Sequence, residues 1–449
     1  MPSTYNGGSA TSAARLSRFF VITDVHVTDE ESPAQLIVWG FRGGRPEAYS
    51  GVMLYTPHVL DAAVQTINAL HEQDPIDFGF ALSDACDNAQ YNELRWYIDV
   101  LDGKQIDPDS GDKDDPIPGP LNDYQDKLKA AGLNKAIPRY QVRGNHDHYW
   151  MGSMPVDDRI RPAHIGTEIF NVGDILKDPL GADIRGFYAP PKVPSAGPDR
   201  RALTRQEWVR ELFDTSSEPK GHGFTEADVD AVFACYAFEP KADVPIKVIA
   251  LDDTGGDDPG KLGCGHAFLD RERYDWRIGE LDKGQAQGKL LIIGAHVPIT
   301  VDVPGSLCGW SPIACLTEEE LLARLRSYPN LILWVAGRRH LNVITPLPSP
   351  DADHLELGFW QVETSSLRDF PQQFRMFEIV RNSDATVSIL ATDVDPAVED
   401  GSPAAISRAY GLGALKLFLM DKRASLSGVT VKPLPLLPTG SYKGNLSCN

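Results

Sequence analysis

Five times along the chain, an apolar or β-branched run stops abruptly on residues of the types that can ligate metal ions. RFFVITDVH closes on Asp24 and His26, and FGFALSDACD on Asp84 and Asp87. RYQVRGNHDH closes on Asn145, His146 and Asp147, KLLIIGAHVP on His296, and LILWVAGRRH on His340. Short continuous apolar runs of this kind predict buried strands. In α/β sheets, functional groups gather just beyond the carboxyl ends of such strands. Between the runs, apolar residues recur at helical spacing over 59–70, 92–101, 269–281 and 317–325. Thr317 with Glu320 forms a capping-box pattern ahead of the last of these. Strands alternating with helices predict a layered α/β fold. Two stretches break the rhythm: 102–134, rich in Asp, Pro and Gly and read as a surface insertion, and 152–243, read as an elaborated cap or subdomain. After Phe359, FRMFEIVRN and TVSILATDV predict further strands, followed by a helix near 404–418 and a Pro-rich tail. The expected organisation is an N-terminal tail (1–18), a main domain (19–382) carrying both insertions, and a C-terminal extension (383–449).

Composition narrows the functional classes. The chain has 449 residues, 42% hydrophobic and 24% charged, an ordinary globular balance. Its 43 Lys plus Arg against 63 Asp plus Glu leave a formal charge of -20, which repels polyanions. Non-specific nucleic-acid binding and docking on anionic membranes are therefore not expected. No apolar run approaches the roughly 20 residues of a membrane span, and residues 1–17 show no apolar secretory core. Six cysteines without a CxxC pair make neither a disulfide scaffold nor a zinc finger. Compartment and oligomeric state stay open, including export with a removed leader.

The strand ends carry the chemistry. Asp24-x-His26 places two ligands on one face of an extended segment, because residues two apart in a strand point the same way. Carboxylate, amide oxygen and imidazole suit Mn, Fe, Zn or Co, and the lack of paired thiolates argues against a structural zinc. One aspartate bridging two cations about 3.5–4 Å apart, with histidines completing the shells, would make a hydrolytic site. Such a site generates hydroxide at neutral pH and clamps phosphoryl oxygens.

The ordered set D-x-H, D-x-x-D, G-N-H-D, A-H and G-R-x-H resembles the calcineurin-like metallophosphoesterase superfamily between Phe19 and His340. Softer similarity to bacterial, often Tat-exported members continues through GFWQVETSSLRDFPQQFRMFEIV. The resemblance implies an αββα sandwich of two mixed β-sheets flanked by helices, with the site on loops at one edge. It implies one or two divalent or trivalent metal ions (Mn, Fe or Zn) and no organic cofactor. Asp24, His26, Asp84 and His340 would hold the first ion; Asp84 would bridge; Asn145 and His296 would hold the second. His146 would stand beside the leaving group as general acid, oriented by Asp147. The implied activity is metal-dependent hydrolysis of a small-molecule phosphoester by hydroxide attack. Diesters are mildly preferred, because a single strong cation copes better with a singly charged ester.

Two positions depart from the family pattern. Ser83 replaces the usual glycine before Asp84, a minor change in a tight turn. Arg338 stands where the family places the first histidine of G-H-x-H, a ligand of the second ion, and a guanidinium has no lone pair to give. Three outcomes are open: a weakened second site, a substitute ligand such as His148 or water, or Arg338 itself forking onto the phosphate. Arg338, with Arg339, is the expected contact to the substrate anion, and His148 a residue of the site's rim. The competing functions are a catalytically silent scaffold of the same fold and a hydrolase of a non-phosphate ester. Asp252 and Asp253 read as solvated turn carboxylates, and Cys86 as a buried inert thiol. Gly255-xxxx-Gly260-Lys261 nearly spells a P-loop, but Leu262 stands where Ser or Thr would bind magnesium.

Overall fold

The computed structural model describes residues 10–29, 31–34, 51–110, 127–152, 154–156, 158, 160–167, 195–255, 267–300 and 317–420. The segment that resembles a P-loop, His266 and the Pro-rich tail lie largely or wholly outside them.

Two mixed sheets form the body. The first contains β1 (Ser12–Ile22), β2 (Phe78–Ala81), β3 (Arg139–Gln141), β10 (Phe374–Asn382) and β11 (Val387–Val394), in the order β11-β10-β1-β2-β3. The second contains β4 (Tyr236–Phe238), β5 (Ile246–Leu251), β6 (Leu290–Ala295), β7 (Leu331–Ala336), β8 (Val343–Leu347) and β9 (Phe359–Glu363), in the order β8-β9-β7-β6-β5-β4. β1, β2 and β3 run parallel, as do β5, β6, β7 and β9, while β4, β8, β10 and β11 pair antiparallel at the margins. β11 thus belongs to the same sheet as the first strand.

Strand periodicity sorts the side chains into layers. Phe19 stacks on Phe78 and Phe377, with ring centroids 4.7 and 4.9 Å apart, and Phe78 meets Phe238 of the other sheet edge-on at 5.4 Å. The Phe80 ring lies against Gly294. These rings, with Ile292, Leu333 and Val335, fill the space between the sheets. The alternate residues Leu291, Ile293 and Trp334 face the other way, joining Leu281, Leu321 and Leu325 in a second cluster. Those leucines come from α3 (Arg271–Ala286) and α4 (Glu318–Leu325). On the first sheet, α1 (Thr56–Gln73) and α2 (Tyr91–Leu101) add Leu60, Val64, Leu94 and Ile98 to the core. The expected α/β sandwich of two mixed, helix-flanked sheets is therefore the fold. Truncating one of its buried rings would cost about 3–5 kcal/mol.

The helices fall where periodicity placed them, with α5 (Pro403–Met420) at the C-terminal position. Thr317 and Glu320 form the full reciprocal capping box. No helix among the described residues is long and apolar enough to cross a membrane. Because the central strands of each sheet are parallel, their carboxyl ends share an edge. There the two sheets meet, and His296 Nδ1 reaches the Leu82 carbonyl at 3.0 Å.

Candidate metal centre

Each strand ends one to four residues before its polar cargo. β1 stops at Ile22, and Asp24 and His26 then take φ of 51° and 47°. The expectation of an extended D-x-H segment is therefore corrected: two left-handed residues in a turn, not strand alternation, aim these side chains. Ser83, Asp84, Arg338 and His340 also have positive φ, at 73°, 50°, 69° and 55°. Such geometry costs about 1–2 kcal/mol per non-glycine residue, and here it is concentrated on the candidate ligands. Two glycines make the turns interlock. A Cβ on Gly144 would fall 2.1 Å from Asp84 Oδ1, and one on Gly337 would fall 2.0 Å from Thr23 Oγ1.

The side chains converge in three overlapping groups: Asp24–His26–His340, Asp24–Asp84–His296 and His26–Asp87–His146. Asp24 Oδ1 is 3.1 Å from His340 Nε2, 3.9 Å from His26 Nε2 and 4.0 Å from His296 Nε2. Asp84 Oδ2 is 3.1 Å from His296 Nε2 and 3.7 Å from His26 Nε2. Each histidine commits its other nitrogen. Nδ1–H of His26 donates to Asp87 Oδ1 at 3.0 Å, that of His340 to Asp369 Oδ2 at 2.6 Å, that of His296 to the Leu82 carbonyl, and that of His146 to the Asp87 carbonyl at 2.6 Å. Fixing Nδ1–H sets the tautomer and leaves Nε2 to carry the lone pair. The Nε2 atoms of His26 and His296 and the Oδ1 of Asn145 are buried without a hydrogen bond. Asn145 is held by its amide nitrogen, which donates to the Gly152 carbonyl at 2.8 Å. A buried polar atom left unsatisfied is costly, and here the orphaned atoms are all good donors to a cation.

The electrostatics agree. Burial works to raise Asp24, but His340, His26 and His296 hold it well below the usual carboxylate range. Asp84 is likewise lowered against its burial, by His296 and His146. His296, which burial would lower, is raised to about 9 by the Asp84 carboxylate. Ionised carboxylates this deep require compensating positive charge.

Several expected roles are corrected. Asp147 does not orient His146. Its carboxylate accepts from the amides of Gly144 at 2.7 Å, Ala85 at 3.0 Å, Asp84 and Cys86 at 3.2 Å, and from the Ser83 hydroxyl, clamping the turn that carries Asp84. Asp87 performs the orienting instead. Arg339 is not directed at a substrate anion: its Nε and one terminal nitrogen grip the buried Glu363 carboxylate at 2.6 Å each. His148 is not available at the rim, since it is buried with Nε2 2.9 Å from Thr254 Oγ1 and Nδ1 3.4 Å from Arg205. Burial and the Arg205 charge keep it well below the usual histidine range. Asp252 and Asp253 are buried, not solvated. Asp252 takes ion pairs from Arg143, Arg205 and Arg273, and Asp253 accepts the Val297 amide beside His296. Cys86 is a buried thiol, pushed well above its usual range by burial and the nearby Asp147.

Other residues enter from a segment beyond the motif set. Ser366 donates its hydroxyl to the Asp24 carbonyl at 2.7 Å, Arg368 pairs with Asp87 Oδ1 at 2.9 Å, and Asp369 holds His340. Glu93 of α2 accepts the amides of Asp29, Asp87 and Asn88 at 3.2, 3.1 and 2.8 Å, which fixes the loop bearing Asp87. Arg338 donates its amide to Asp24 Oδ2 at 3.0 Å, and its half-buried side chain is close enough to oppose protonation of His296.

No family model and no curated protein matches the chain. Among solved structures it is similar to a dimetal phosphatase from Danio rerio, at 12% identity and a TM-score of 0.41, over 85% of this chain and 99% of that one. It is also similar to a Staphylococcus aureus protein described as a 5′-nucleotidase, in complex with α-ketoglutarate. There the identity is 12% and the TM-score 0.35, over 90% of this chain and 58% of the other.

Proposed function

We propose that this chain is a metal-dependent hydrolase of small-molecule phosphoesters, with diesters preferred. The observation that carries the reading is the convergence of the Nε2 atoms of His26, His296 and His340 on two ionised, buried carboxylates, Asp24 and Asp84. This oxygen-and-imidazole donor set, without thiolate, suits Mn, Fe or Zn. Asp24, His26, Asp84 and His340 would hold one ion, and Asp84, Asn145 and His296 a second. When bound, such ions activate water and neutralise charge developing on the phosphoryl oxygens.

The chain's own groups supply the rest. Arg338, whose charge is close enough to oppose protonation of His296, would supply a fixed positive charge beside the second position and contact the phosphoryl oxygens. A singly charged diester needs less of such charge than a monoester does. His146, fixed by the Asp87 carbonyl, presents Nε2 to exchange a proton with the leaving oxygen. Asp147 and Glu93 keep the two ligand-bearing turns in place.

The test is hydrolysis of bis(p-nitrophenyl) phosphate after manganese reconstitution, beside Asp84→Asn and beside p-nitrophenyl phosphate. Turnover of the diester that exceeds the monoester and vanishes in Asp84→Asn is expected. Inactivity with manganese demonstrably bound would overturn the reading in favour of a silent scaffold.

A further inference from the structure

The two main sheets end in four edge strands, and three of these are blunted. β3 and β4 are only three residues long, and the Arg139 amide of β3 is taken by the Glu218 carbonyl at 2.9 Å. β8 carries Pro346, which has no N–H to offer. Short strands and prolines keep a sheet edge from pairing with another chain. β11 has neither device. It runs for eight residues without a bulge against β10; Val387, Ile389, Leu390, Ala391 and Val394 are apolar, and Asp393 is its one charge.

The pairing of β10 with β11 shows which backbone groups face outward. The Asn382 amide donates to the Thr386 carbonyl at 2.9 Å, so that pair is hydrogen-bonded. Hydrogen-bonded and non-hydrogen-bonded pairs alternate along an antiparallel ladder. With the unbroken register, Ser388, Leu390 and Thr392 bond to β10, whereas Val387, Ile389, Ala391 and Asp393 turn their N–H and C=O groups away from it. Those outward groups meet no other backbone group among the described residues. Leu390 is 48% exposed on one face, and on the other Val387, Ile389 and Ala391 are only partly buried.

We infer that β11 pairs antiparallel with β11 of a second copy, about a two-fold axis at Leu390, joining two five-stranded sheets into one. A two-fold contact must be self-complementary, and this register is. It sets Ile389 opposite Ala391 and Val387 opposite Asp393, so all four outward residues of each copy bond across the axis. Leu390 meets Leu390 of the second copy as a non-hydrogen-bonded pair, in which side chains are closest, and the two cover each other. The charges fit as well. Asp393, held by Arg375 at 2.6 Å yet 41% exposed, faces Val387 rather than its own counterpart. Val387 is in turn paired with Arg381, which is exposed and has no ion pair among the described residues. Asp393 of one copy and Arg381 of the other therefore share a face, with Cα atoms about 10 Å apart. Because β11 runs parallel to β1, its Val394 end and the metal centre lie at the same end of the sheet. The centres of the two copies thus point to opposite ends, and each stays complete.

The test is sedimentation velocity on the full chain across a concentration series. A species of twice the chain mass is expected. It should strengthen with added salt, which screens the repulsion between copies of formal charge -20. Leu390→Lys sets like charges face to face and should raise the dimer's dissociation constant by about tenfold or more. An unchanged circular dichroism spectrum of that variant reports an intact fold. Mild oxidation reads the register. Leu390→Cys should cross-link the copies, since a disulfide spans Cα atoms about 4.4–6.8 Å apart, whereas Ser388→Cys, opposite Thr392, should not. A monomer at every concentration overturns the inference and leaves the edge to a strand of another protein. A dimer that Leu390→Lys leaves intact, or that cross-links through Ser388→Cys and not through Leu390→Cys, overturns it as well.

Discussion

On the β1 side of the centre, His26 and His340 each give Nδ1–H to a carboxylate, Asp87 at 3.0 Å and Asp369 at 2.6 Å. On the β6 side, His296 gives its Nδ1–H to a neutral carbonyl, that of Leu82, at 3.0 Å. A carboxylate behind a ligating imidazole raises its basicity and locks its orientation more strongly than a carbonyl does. The first half is braced again by Arg368, which holds Asp87, and by Ser366, which holds the Asp24 turn. The second half has the Arg338 charge close enough to oppose protonation of His296. The histidines of the two halves thus stand in unequal surroundings, and unequal cation affinity is the expected consequence.

The largest effect should come from the residue both halves share. Asp84→Asn should abolish hydrolysis, with a loss of roughly 10²–10³-fold or more in kcat. A variant retaining most activity would show that the halves do not act as one centre.

The next sharpens the contrast between the halves. Asp369→Ala should weaken the tight cation by roughly 10–100-fold, whereas Asp369→Asn, whose amide oxygen still accepts Nδ1–H, should retain most of the affinity. Binding of the weaker equivalent should not change. Elemental analysis after dialysis against a graded chelator reads both.

Arg338 probes the comparison from the other side. Arg338→Ala should cost about tenfold in kcat/KM through loss of one charge-assisted contact. Arg338→His should instead restore a ligand and tighten the second equivalent. Normal kcat/KM in Arg338→Ala would remove the guanidinium from the account.

The smallest effect lies away from both halves and concerns stability alone. His222 is buried against Arg139, with Nε2 accepting from the guanidinium at 2.6 Å and Nδ1 donating to the Arg139 carbonyl at 3.1 Å. Burial and the Arg139 charge hold its pKa well below the ordinary value of 6.5. The unfolded chain therefore binds the extra proton first. The stability contribution is present above about pH 6.5 and is lost as pH falls, by at most about 1.4 kcal/mol per pH unit. Denaturant melts of His222→Gln between pH 5 and 7 should show a shallower slope than the wild type.

Much of this was legible in sequence where the signal is local. Continuous apolar runs announced the central strands, and helical spacing announced α1 to α5. The residue types at the strand ends announced a centre. What stayed hidden depends on segments far apart in the chain. Asp87 and Arg368 are 281 positions apart and meet only because β9 lies beside β7 and its outgoing turn crosses Asp24. Asp369 sits in SSLRDF with no spacing that marks it. Adjacency also misled: Asp147 follows His146, yet the turn carries its carboxylate back to residues 83–86. Arg339 looked free beside Arg338, but the parallel pairing of β7 with β9 brings Glu363 beneath it.

The most direct test is a calorimetric titration of metal-free protein with manganese, checked by elemental analysis and repeated on Asp369→Ala. The account predicts one tight equivalent that Asp369→Ala weakens, and a second at least about tenfold weaker that it leaves alone. Two equal equivalents insensitive to Asp369, or none at all, would contradict it.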